Sequence, residues 1–408
     1  MKKTFGLLGE KLKHSFSPMI HEFLGDYEYP LYEVSSNDLD TFMTERRFDG
    51  INITIPYKQD VMRYCASLSD EVKMIGCVNT IIKDKAGLLH GHNTDYHGFY
   101  VLLKRAKINP NGKKVLVLGD GGSARTVRAA LKNLCAREIV TISRRGENNY
   151  GNISCHYDAQ IIVNTTPVGM YPDNGNCPLD LNGFNQLTGV VDLIYNPTRT
   201  KLLLNAERMN IPCVNGLAML VSQAEMASRL FLDAPERPEL VSAIINAIIK
   251  KTRNIALIGM PGCGKSTAGK NLSQSLERPL ADIDELITAA AGKSIPQIFA
   301  EDGEELFRRT ETRILGEQAA KSGAVIATGG GIVTRAENLD LLRQNSLIVF
   351  LKRDLTELAT TGRPLSGSIG IETLAKQRLP LYEAWSDIII EVEASPELTA
   401  ARILKAIE

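Results

Sequence analysis

The nine residues from Gly259 to Thr267 constrain the fold of this chain more than any other stretch. They read Gly-Met-Pro-Gly-Cys-Gly-Lys-Ser-Thr and fit G-x-x-x-x-G-K-[ST], with an apolar, strand-type segment before them. Glycines let the backbone wrap around a phosphate, and a helix starting at Lys265 adds partial positive charge there. A glycine turn that binds nothing is the alternative. The pattern predicts a nucleotide-phosphate loop formed by Gly262, Cys263, Gly264, Lys265, Ser266 and Thr267, in which Ser266 holds Mg²⁺.

Composition limits the possible partners. The chain has 408 residues, enough for two or three domains, a net charge of zero and 44% hydrophobic residues. Nothing in this balance favours nucleic acid or an anionic membrane, and no apolar run reaches the roughly 18 residues of a membrane span. The seven cysteines are scattered, without a C-x-x-C pair, which is typical of a reducing cytosol. We therefore expect a cytoplasmic protein with small-molecule substrates, as a monomer or homodimer.

Polar residues follow short apolar strands in the first hundred residues. Ser15 and Ser17 lie two residues apart before Pro18, so both hydroxyls can face one ligand, although Ser17 also suits a helix cap. Lys58 follows an alternating strand that begins at Gly50, at the end of a strand where α/β sheets bind ligands. The alternative for Lys58 is an ordinary loop lysine in solvent.

A hairpin, with strands around Gly76–Ile82 and Leu88–Asn93, is predicted next. Asp95 stands at its end, before a helical segment from Tyr96 to Lys107. The three histidines at positions 90, 92 and 97 could suggest a metal, but their spacing matches no familiar ligand set, and surface histidines are the better interpretation.

The segment from Lys113 to Leu134 indicates a dinucleotide site. An apolar strand enters a glycine turn and then a helix from Thr126, the first unit of a Rossmann fold, with the pyrophosphate on Gly119, Gly121 and Gly122. Asp120 is unfavourable so near a pyrophosphate unless its side chain points away. The next strand ends in Ser143, Arg144 and Arg145 without an acid, which favours the 2′-phosphate of NADP over NAD. Two solvated arginines are the alternative, and the segment from Gly146 to Gly151 is short.

Further polar motifs follow the phosphate loop. Asp282 and Asp284 are expected on one face at a strand end, the first suited to Mg²⁺ and the second to a substrate hydroxyl as a possible base. Arg308 lies on a helix three residues before Glu311, which can orient its guanidinium toward a ligand carboxylate. Three glycines at 329–331 allow close backbone approach, and the segment after Arg363 suits a mobile lid.

The first 250 residues resemble shikimate dehydrogenases. The shared motifs, in matching order, are H-S-x-S-P from His14, N-I-T-I-P-Y-K from Asn52, G-x-V-N-T from Gly76, N-T-D from Asn93, and close variants of N-A-T-P-x-G-M from Asn164 and D-x-x-Y-x-P from Asp192. The resemblance implies that Lys58 and Asp95 are the catalytic pair. It also implies that shikimate is bound by Asp95 and by Ser15, Ser17, Thr54, Asn79, Tyr195 and Gln223. Tyr96 replaces a glycine common in the family and is expected to narrow the pocket mouth.

The C-terminal segment resembles shikimate kinases through its phosphate loop, D-x-D, F-R-x-x-E, G-G-G, R-P-L and R-x-P-L-Y motifs. The resemblance implies that shikimate is bound by Asp284, Arg308, Gly330, Gly331 and Arg378. It implies that Lys265 and Arg363 stabilise the transferring phosphoryl group. Thr360 stands where relatives often carry an arginine, and the lid between Arg363 and Arg378 is short.

These observations predict an α/β protein of two enzymes. Residues 1–252 are expected to contain an α/β substrate domain (1–100 and 217–250) and a Rossmann NADP-binding domain (101–216). Residues 253–408 are expected to form a P-loop, nucleoside-monophosphate-kinase-like α/β domain with a parallel sheet. The predicted function is NADPH-dependent reduction of 3-dehydroshikimate and ATP- and Mg²⁺-dependent phosphorylation of shikimate. The alternatives are a dehydrogenase acting on quinate or with NAD, a nucleoside-monophosphate kinase at the C-terminus, and a non-catalytic binding protein.

Overall fold

The structure is a computed structural model that describes residues 2–12, 15–358 and 370–407. Its contacts divide the chain into two compact units. The first contains the residues up to Tyr195 together with Asn205–Ala247, and the second contains Asn196–Leu204 together with the chain from Ile248. The sequence did not anticipate that Asn196–Leu204 would group with the second unit.

Six strands of the described chain form the first sheet, in the order β2-β1-β3-β5-β6-β4. They are β1 (Leu7–Gly9), β2 (Leu31–Glu33), β3 (Gly50–Ile53), β4 (Ser67–Leu68), β5 (Thr80–Lys83) and β6 (Leu89–His92). β5 pairs antiparallel with both β3 and β6, as the predicted hairpin requires. The accompanying helices are α1 (Ser17–Leu24), α2 (Leu39–Glu45), α3 (Asp70–Ile75) and α4 (Thr94–Ala106), with a 3₁₀ segment at Asp60–Tyr64.

The second sheet of the first unit is parallel throughout its described strands, in the order β11-β10-β9-β7-β8. The strands are β7 (Lys114–Leu118), β8 (Glu138–Ile142), β9 (Ile161–Asn164), β10 (Gly189–Asp192) and β11 (Cys213–Asn215). β7 is buried along its whole length, as its apolar sequence predicts for a strand covered on both faces. The strand order reverses beside β7, which places a ligand crevice at the turn that follows it.

Helices connect and follow these strands. They are α5 (Gly122–Asn133), α6 (Lys201–Arg208), α7 (Leu217–Leu232) and α8 (Pro238–Thr252), with a 3₁₀ segment at Tyr150–His156. α5 begins at Gly122, four residues before the predicted start, because residues 122–125 form its first turn and Gly121 precedes them as an extended cap residue. α4 likewise begins at Thr94, so Asp95 lies in its first turn.

The second unit is built on a parallel sheet in the order β13-β14-β12-β15-β16, among the residues that the structure describes. Its strands are β12 (Asn254–Ile258), β13 (Leu280–Asp282), β14 (Val325–Ala327), β15 (Ser346–Lys352) and β16 (Ile388–Glu391). Its helices are α9 (Lys265–Leu276), α10 (Ile283–Ala291), α11 (Ile295–Glu301), α12 (Glu304–Ala319), α13 (Ala336–Arg343), α14 (Ile371–Trp385) and α15 (Pro396–Ile407), with 3₁₀ segments at Ile332–Thr334 and Leu355–Glu357. The phosphate loop joins the central strand β12 to α9, as predicted.

The prediction that Asp282 and Asp284 lie on one face of a strand end was wrong. β13 stops at Asp282, whose Oδ1 accepts hydrogen bonds from the amides of Asp284 (3.1 Å) and Glu285 (3.3 Å). Asp282 therefore caps α10, and Asp284 lies in the first turn of that helix.

Asn196–Leu204 is held in the second unit by backbone and side-chain hydrogen bonds. The Arg199 amide donates to the Gln344 carbonyl at 2.9 Å, and Thr198 Oγ1 donates to Asn345 Oδ1 at 2.8 Å. Gln344 and Asn345 are both buried. In the part of the chain that the structure describes, no helix combines the length and the apolar character needed to cross a membrane.

Candidate active sites

A polar cavity of about 900 Å³ lies in the first unit. It collects every predicted shikimate-binding and catalytic residue of the N-terminal half. These are Ser15, Ser17, Thr54, Lys58, Asn79, Asp95, Tyr195 and Gln223. Residues that are more than 200 positions apart in the sequence therefore border one space.

Lys58 and Asp95 form an ion pair at this cavity. Lys58 Nζ lies 2.6 Å from Asp95 Oδ2, and the two side chains are only 19% and 16% exposed. Lys58 follows β3 through a turn that contains a cis Ile55–Pro56 bond, and Asp95 stands in the first turn of α4. Burial lowers the pKa of Lys58, but the charge and hydrogen bond of Asp95 outweigh burial, and the net pKa is raised. The lysine is therefore a cation throughout the neutral range.

Asn79 is oriented by the residues around it. Its Oδ1 accepts from the Thr94 amide at 2.7 Å, and its Nδ2 donates to Thr94 Oγ1 at 3.0 Å. Gln223 reaches the same threonine, with Oε1 3.4 Å from Thr94 Oγ1. Thr94 thus fixes two of the predicted substrate-binding side chains.

The two serines at the start of α1 face the cavity. The helix is capped by Phe16, without a side-chain cap hydrogen bond, so Ser17 does not act as the cap that its sequence position allowed. Ser15 Oγ accepts from the Ser17 amide at 3.2 Å. The Phe16 ring lies 5.3 Å from the ring of Tyr195, whose pKa is raised by burial.

Several further cavity residues were missed by the sequence analysis, among them Asn52, Tyr29 and Ser123. Asn52 is buried in β3, where its Oδ1 accepts from the Tyr29 hydroxyl at 2.7 Å and its Nδ2 donates to Thr80 Oγ1 at 2.9 Å. Tyr29 and Ser123 also line the cavity. A polar residue inside an otherwise apolar buried strand was the signal available for Asn52.

Tyr96 does not narrow the mouth of this cavity, contrary to expectation. Its side chain lines a separate space of about 210 Å³ with His92 and His97, and its hydroxyl accepts from Asn133 Nδ2 at 2.8 Å. Burial lowers the pKa of both histidines. Among the residues that the structure describes, no group of three or more His, Cys, Asp or Glu is arranged to hold a metal.

The predicted dinucleotide residues lie at the carboxyl ends of β7 and β8. Gly119 has φ +102°, and its amide donates to the Ile142 carbonyl at 2.8 Å, so the two strand ends stay adjacent. Gly121 caps α5 without a side-chain bond, and the space beside Gly121 and Gly122 is open. The helix N-terminus can thus receive a pyrophosphate.

The residues after β8 complete this region. Arg144 and Arg145 are exposed, Ser143 is half-buried, and no acidic residue stands among the three. Asp120 is exposed, as a carboxylate near a pyrophosphate site requires. The short segment before Gly151 leads into the 3₁₀ segment at Tyr150–His156 rather than a full helix. The exposed guanidiniums match a cofactor with an additional phosphate on its ribose.

In the phosphate loop of the second unit, the lysine is hydrogen-bonded to carbonyls of the loop itself. Lys265 is 7% exposed, and its Nζ donates to the carbonyls of Gly259 (2.9 Å) and Met260 (3.0 Å). Gly262 and Gly264 have φ +85° and +99°, values that favour glycine. Cys263 is buried, whereas Ser266 and Thr267 are exposed at the start of α9.

A buried charged cluster stands beside this loop. Arg308 is 6% exposed and donates from Nη1 to Glu311 Oε2 at 3.1 Å and from Nη2 to Glu304 Oε1 at 3.0 Å. Arg378 is 5% exposed and donates from Nη1 to the Gly330 carbonyl at 3.2 Å. The two guanidiniums predicted to bind shikimate therefore both lie in the protein interior.

The glycines at 329–331 make this cluster possible by their small size. A methyl group on Gly331 would lie 2.0 Å from Arg308 Nη1, and one on Gly330 would lie 2.6 Å from the Pro261 ring. A methyl group on Gly329 would lie 2.8 Å from Asp284 Oδ1. The structure thus brings together Asp284, Arg308, Gly330, Gly331 and Arg378. Arg363, Thr360 and the predicted lid up to residue 369 lie outside the described residues.

The predicted donors for Mg²⁺ are Ser266 and Asp282. Asp282 is buried at the end of β13, and its Oδ1 is engaged by the amides of α10. A carboxylate and a hydroxyl next to a phosphate loop are hard oxygen ligands of the type that Mg²⁺ takes together with water. These residues fit the ion.

Two segments of the chain match known protein families. Residues 7–81 match the shikimate dehydrogenase substrate binding domain, and residues 261–408 match shikimate kinase. The shikimate dehydrogenase (NADP(+)) of Clostridium beijerinckii is 37% identical over 247 residues, which cover 56% of this chain and 91% of that protein.

Solved structures resemble the N-terminal part as well. A chorismate mutase/shikimate 5-dehydrogenase fusion protein from Clostridium acetobutylicum is 35% identical with a TM-score of 0.57, over 60% of this chain and 97% of that one. A quinate dehydrogenase from Corynebacterium glutamicum in complex with NAD is 26% identical with a TM-score of 0.56, over 60% of this chain and 98% of that one. The chain belongs to the shikimate dehydrogenase family and carries, from residue 261 to residue 408, a domain of the shikimate kinase family.

Proposed function

We propose that this chain catalyses two consecutive reactions on one carbon–oxygen group, on the route to aromatic amino acids. The first is NADPH-dependent reduction of 3-dehydroshikimate to shikimate, and the second is ATP-dependent phosphorylation of shikimate to shikimate 3-phosphate. The observation that supports the first reaction best is the Lys58–Asp95 pair within a cavity lined by hydroxyls and amides. The second reaction is supported by the Asp284, Arg308 and Arg378 cluster beside a phosphate loop.

Lys58 is the proposed acid of the reduction. When bound, NADPH supplies the hydride that reduces the carbonyl carbon. A raised pKa keeps Lys58 protonated at neutral pH, so its Nζ can donate a hydrogen bond to the carbonyl oxygen and then a proton to the alkoxide. Asp95, 2.6 Å away, holds the ammonium in place and accepts a hydrogen bond from the neighbouring substrate hydroxyl.

The remaining cavity residues are proposed to bind and orient the substrate. Ser15 and Ser17 offer two hydroxyls at the start of α1, which suits a carboxylate. Asn79, Gln223 and Thr54 offer amide and hydroxyl groups for the ring hydroxyls, and Tyr195 covers the site. Because Thr94 fixes Asn79 and touches Gln223, these two side chains are positioned before the substrate arrives.

The cofactor residues are proposed to favour NADP. The amides at Gly119, Gly121 and Gly122 would hold the pyrophosphate at the N-terminus of α5. Ser143, Arg144 and Arg145 would hold the 2′-phosphate, because two exposed guanidiniums and a half-buried hydroxyl stand where an NAD site places an acid.

The kinase residues are proposed to act by position and charge. When bound, ATP supplies the phosphoryl group. Lys265 would exchange its two loop carbonyls for phosphate oxygens, with Ser266 and Asp282 holding Mg²⁺ and the amides from Gly262 to Thr267 facing the phosphates. Asp284 would accept the proton of the 3-hydroxyl, with Gly330 and Gly331 beside it, while Arg308 and Arg378 bind the carboxylate. Arg363 keeps its predicted role at the transferring group.

Separate assays of the two reactions on the purified full-length chain test this proposal. We expect NADPH oxidation with 3-dehydroshikimate, and formation of shikimate 3-phosphate from supplied shikimate, ATP and Mg²⁺. Loss of either reaction under conditions where the chain is folded would contradict the corresponding half of the proposal.

A second candidate for the first unit is a dehydrogenase that uses quinate or NAD. It is favoured by the similarity to the quinate dehydrogenase solved with NAD, and it is opposed by Arg144 and Arg145. Comparing NADPH with NADH, and shikimate with quinate, in the same assay separates the two candidates. A preference for quinate and NAD would replace the first half of the proposal.

We also propose a cytoplasmic location, because the seven cysteines are scattered without a C-x-x-C pair and Cys135 and Cys155 are exposed to the surrounding redox conditions. The partners are small-molecule substrates, with a monomer or homodimer as the expected assembly.

A further inference from the structure

Glu311 on α12 is a buried carboxylate that the proposed chemistry does not use. Its side chain is 0% exposed. Oε2 accepts from Arg308 Nη1 at 3.1 Å, whereas Oε1 is buried and has no hydrogen-bond partner among the described residues. A buried acceptor without a donor is unfavourable.

The unpartnered oxygen points toward a second carboxylate. A methyl group on Gly329 would lie 2.6 Å from Glu311 Oε1 and 2.8 Å from Asp284 Oδ1, so both oxygens face the same glycine. Two carboxylates that converge in a buried space disfavour simultaneous ionisation.

The charges around Glu311 leave the cluster with an excess of negative charge. Arg308 lies on the same helix and is shared with Glu304, Asp284 approaches from α10, and Arg378 approaches from α14. Three carboxylates thus face two guanidiniums before any ligand binds. An anionic substrate adds a further negative charge to this buried group.

The pKa of Glu311 is consistent with this excess of negative charge. Burial raises the pKa of Glu311 to about 7, and the negative charge of Asp284 also raises it, whereas Arg308 and Arg378 act in the opposite direction. Near neutral pH, both protonation states are therefore accessible.

We propose that Glu311 takes up a proton from solvent when the kinase site binds its anionic substrate. The substrate carboxylate then replaces Glu311 as the counter-ion of Arg308. The new proton turns the unpartnered Oε1 into a donor directed toward Asp284. This inference rests on the proposed function, because it requires the substrate carboxylate to bind Arg308. Glu311 acts in it as a positioning residue that matches the charge of the site to its ligand.

Calorimetric titration of the full-length chain with shikimate, without nucleotide, tests the proposal. Because the dehydrogenase site is also proposed to bind shikimate, the chain used carries Ser15→Ala and Ser17→Ala, which remove the two hydroxyls proposed to bind the substrate carboxylate there. The titration is carried out at pH 6, 7 and 8, each in two buffers with different ionisation enthalpies. The difference in heat between the buffers gives the number of protons taken up per shikimate bound. We expect little uptake at pH 6, about half a proton at pH 7 and an uptake approaching one at pH 8, with affinity falling above pH 7.

The isosteric substitution Glu311→Gln supplies the specific control. This variant should bind shikimate without proton uptake and with an affinity that no longer depends on pH between 6 and 8. Glu304→Gln removes the half-exposed carboxylate on the same guanidinium and should retain the uptake. Should Glu311→Gln fail to fold, the buffer dependence of the Ser15→Ala/Ser17→Ala chain with Glu311 intact carries the test alone.

Each outcome bears on a different claim. Binding with equal heats in both buffers at pH 7 and 8 would overturn the inference while leaving the kinase function intact. Undiminished uptake in a folded Glu311→Gln variant would assign the proton to another group and would also overturn it. Complete absence of shikimate binding would overturn the proposed kinase function itself, and this inference with it.

Discussion

The two candidate sites hold their essential cations in different ways. In the first unit, Lys58 is paired with Asp95, and both side chains line the cavity that the substrate is proposed to enter. In the second unit, Lys265 is bonded to two carbonyls of its own loop, and Arg308 is bonded to two glutamates. The first site is assembled before its ligand binds, whereas the second is proposed to exchange internal partners for ligand groups.

This difference follows from the chemistry proposed for each site. A carbonyl oxygen is neutral until its carbon is reduced. A protonated lysine can therefore keep its single carboxylate partner while the carbonyl binds beside it. Phosphates and carboxylates arrive already charged, and the buried cations that bind them need counter-ions until they do, because an unpaired buried charge is costly. Glu304 and Glu311 serve that purpose for Arg308, whereas Lys265 is held by hydrogen bonds to two neutral backbone carbonyls.

Removing Lys58 is expected to have the largest effect. Lys58→Ala should lower kcat for 3-dehydroshikimate reduction by about 10²- to 10⁴-fold, because both the hydrogen bond to the carbonyl and its proton donor are lost. Steady-state assays of NADPH oxidation measure this change. Lys73→Ala, at an exposed lysine of α3, is the matched control and should change neither reaction. Loss of phosphorylation of supplied shikimate in Lys58→Ala would contradict the independence of the two sites.

Removing Lys265 tests the second site in the same way. Lys265→Ala should lower the rate of shikimate phosphorylation by about 10²- to 10³-fold, because the loop loses the cation that stabilises the transferring group. NADPH oxidation by the same protein should be unchanged. Lys270→Ala, at an exposed position on α9, is the control. A Lys265→Ala variant with normal phosphorylation would exclude this loop as the phosphate site.

Removing the two arginines proposed to select NADP over NAD should have a smaller effect than removing either lysine. Replacing Arg144 and Arg145 together by alanine should raise the KM for NADPH about tenfold or more, because charge-assisted hydrogen bonds to the 2′-phosphate are lost. The KM for NADH should stay the same, since NADH has no such phosphate. Arg137→Ala, an exposed arginine before β8, serves as the control. Equal increases in the KM values for NADPH and NADH would show that Arg144 and Arg145 do not bind the 2′-phosphate.

The two units should also respond to pH with opposite sign. His21 is buried against Tyr27 and Tyr29, and burial lowers its pKa from 6.5 to about 3. The folded state therefore favours neutral His21, and the first unit should lose up to about 1.4 kcal/mol of stability per pH unit as pH falls below 6.5. Glu311 has a folded pKa raised from 4.5 to about 7, so its unit should lose stability as pH rises through that interval.

Hydrogen exchange measured by mass spectrometry can follow both units in one sample. Peptides from α1 should exchange faster at pH 5 than at pH 6.5 after correction for intrinsic rates, and His21→Gln should flatten this dependence. Peptides from α12 should show the reverse trend between pH 5 and 7. The same direction of change in both units would contradict the assignment of these two groups.

Much of both sites could be predicted from the sequence because their residues follow strand ends and glycine turns. Lys58 after β3 and the loop after β12 are examples, since parallel topology brings strand ends to one edge of a sheet. The Lys58–Asp95 contact needed the family resemblance in addition, because nothing local pairs two residues that are 37 positions apart.

The features that the sequence did not predict depend on competition between local and distant partners. The alternation of Asp282 and Asp284 suggested one strand face, but the free amides of α10 recruit Asp282 as a cap and end the strand. Tyr96 was placed at the pocket mouth, yet Asn133 of α5 provides a partner for its hydroxyl elsewhere. Asn52 was missed because the alternation of apolar and polar residues along a strand identifies its apolar face. The alternation does not tell which buried polar residue borders a cavity. The grouping of Asn196–Leu204 with the second unit depends on Gln344 and Asn345, nearly 150 residues later.

The central claim is that one chain carries out both reactions on the same oxygen atom. The most direct test is a single assay of the full-length chain with 3-dehydroshikimate, NADPH, ATP and Mg²⁺, in which NADPH oxidation and shikimate 3-phosphate are followed together. We predict that both signals appear, with the phosphate product following NADPH oxidation after a lag while shikimate accumulates. NADPH oxidation without any shikimate 3-phosphate, or no oxidation at all by a chain that phosphorylates supplied shikimate, would contradict the account.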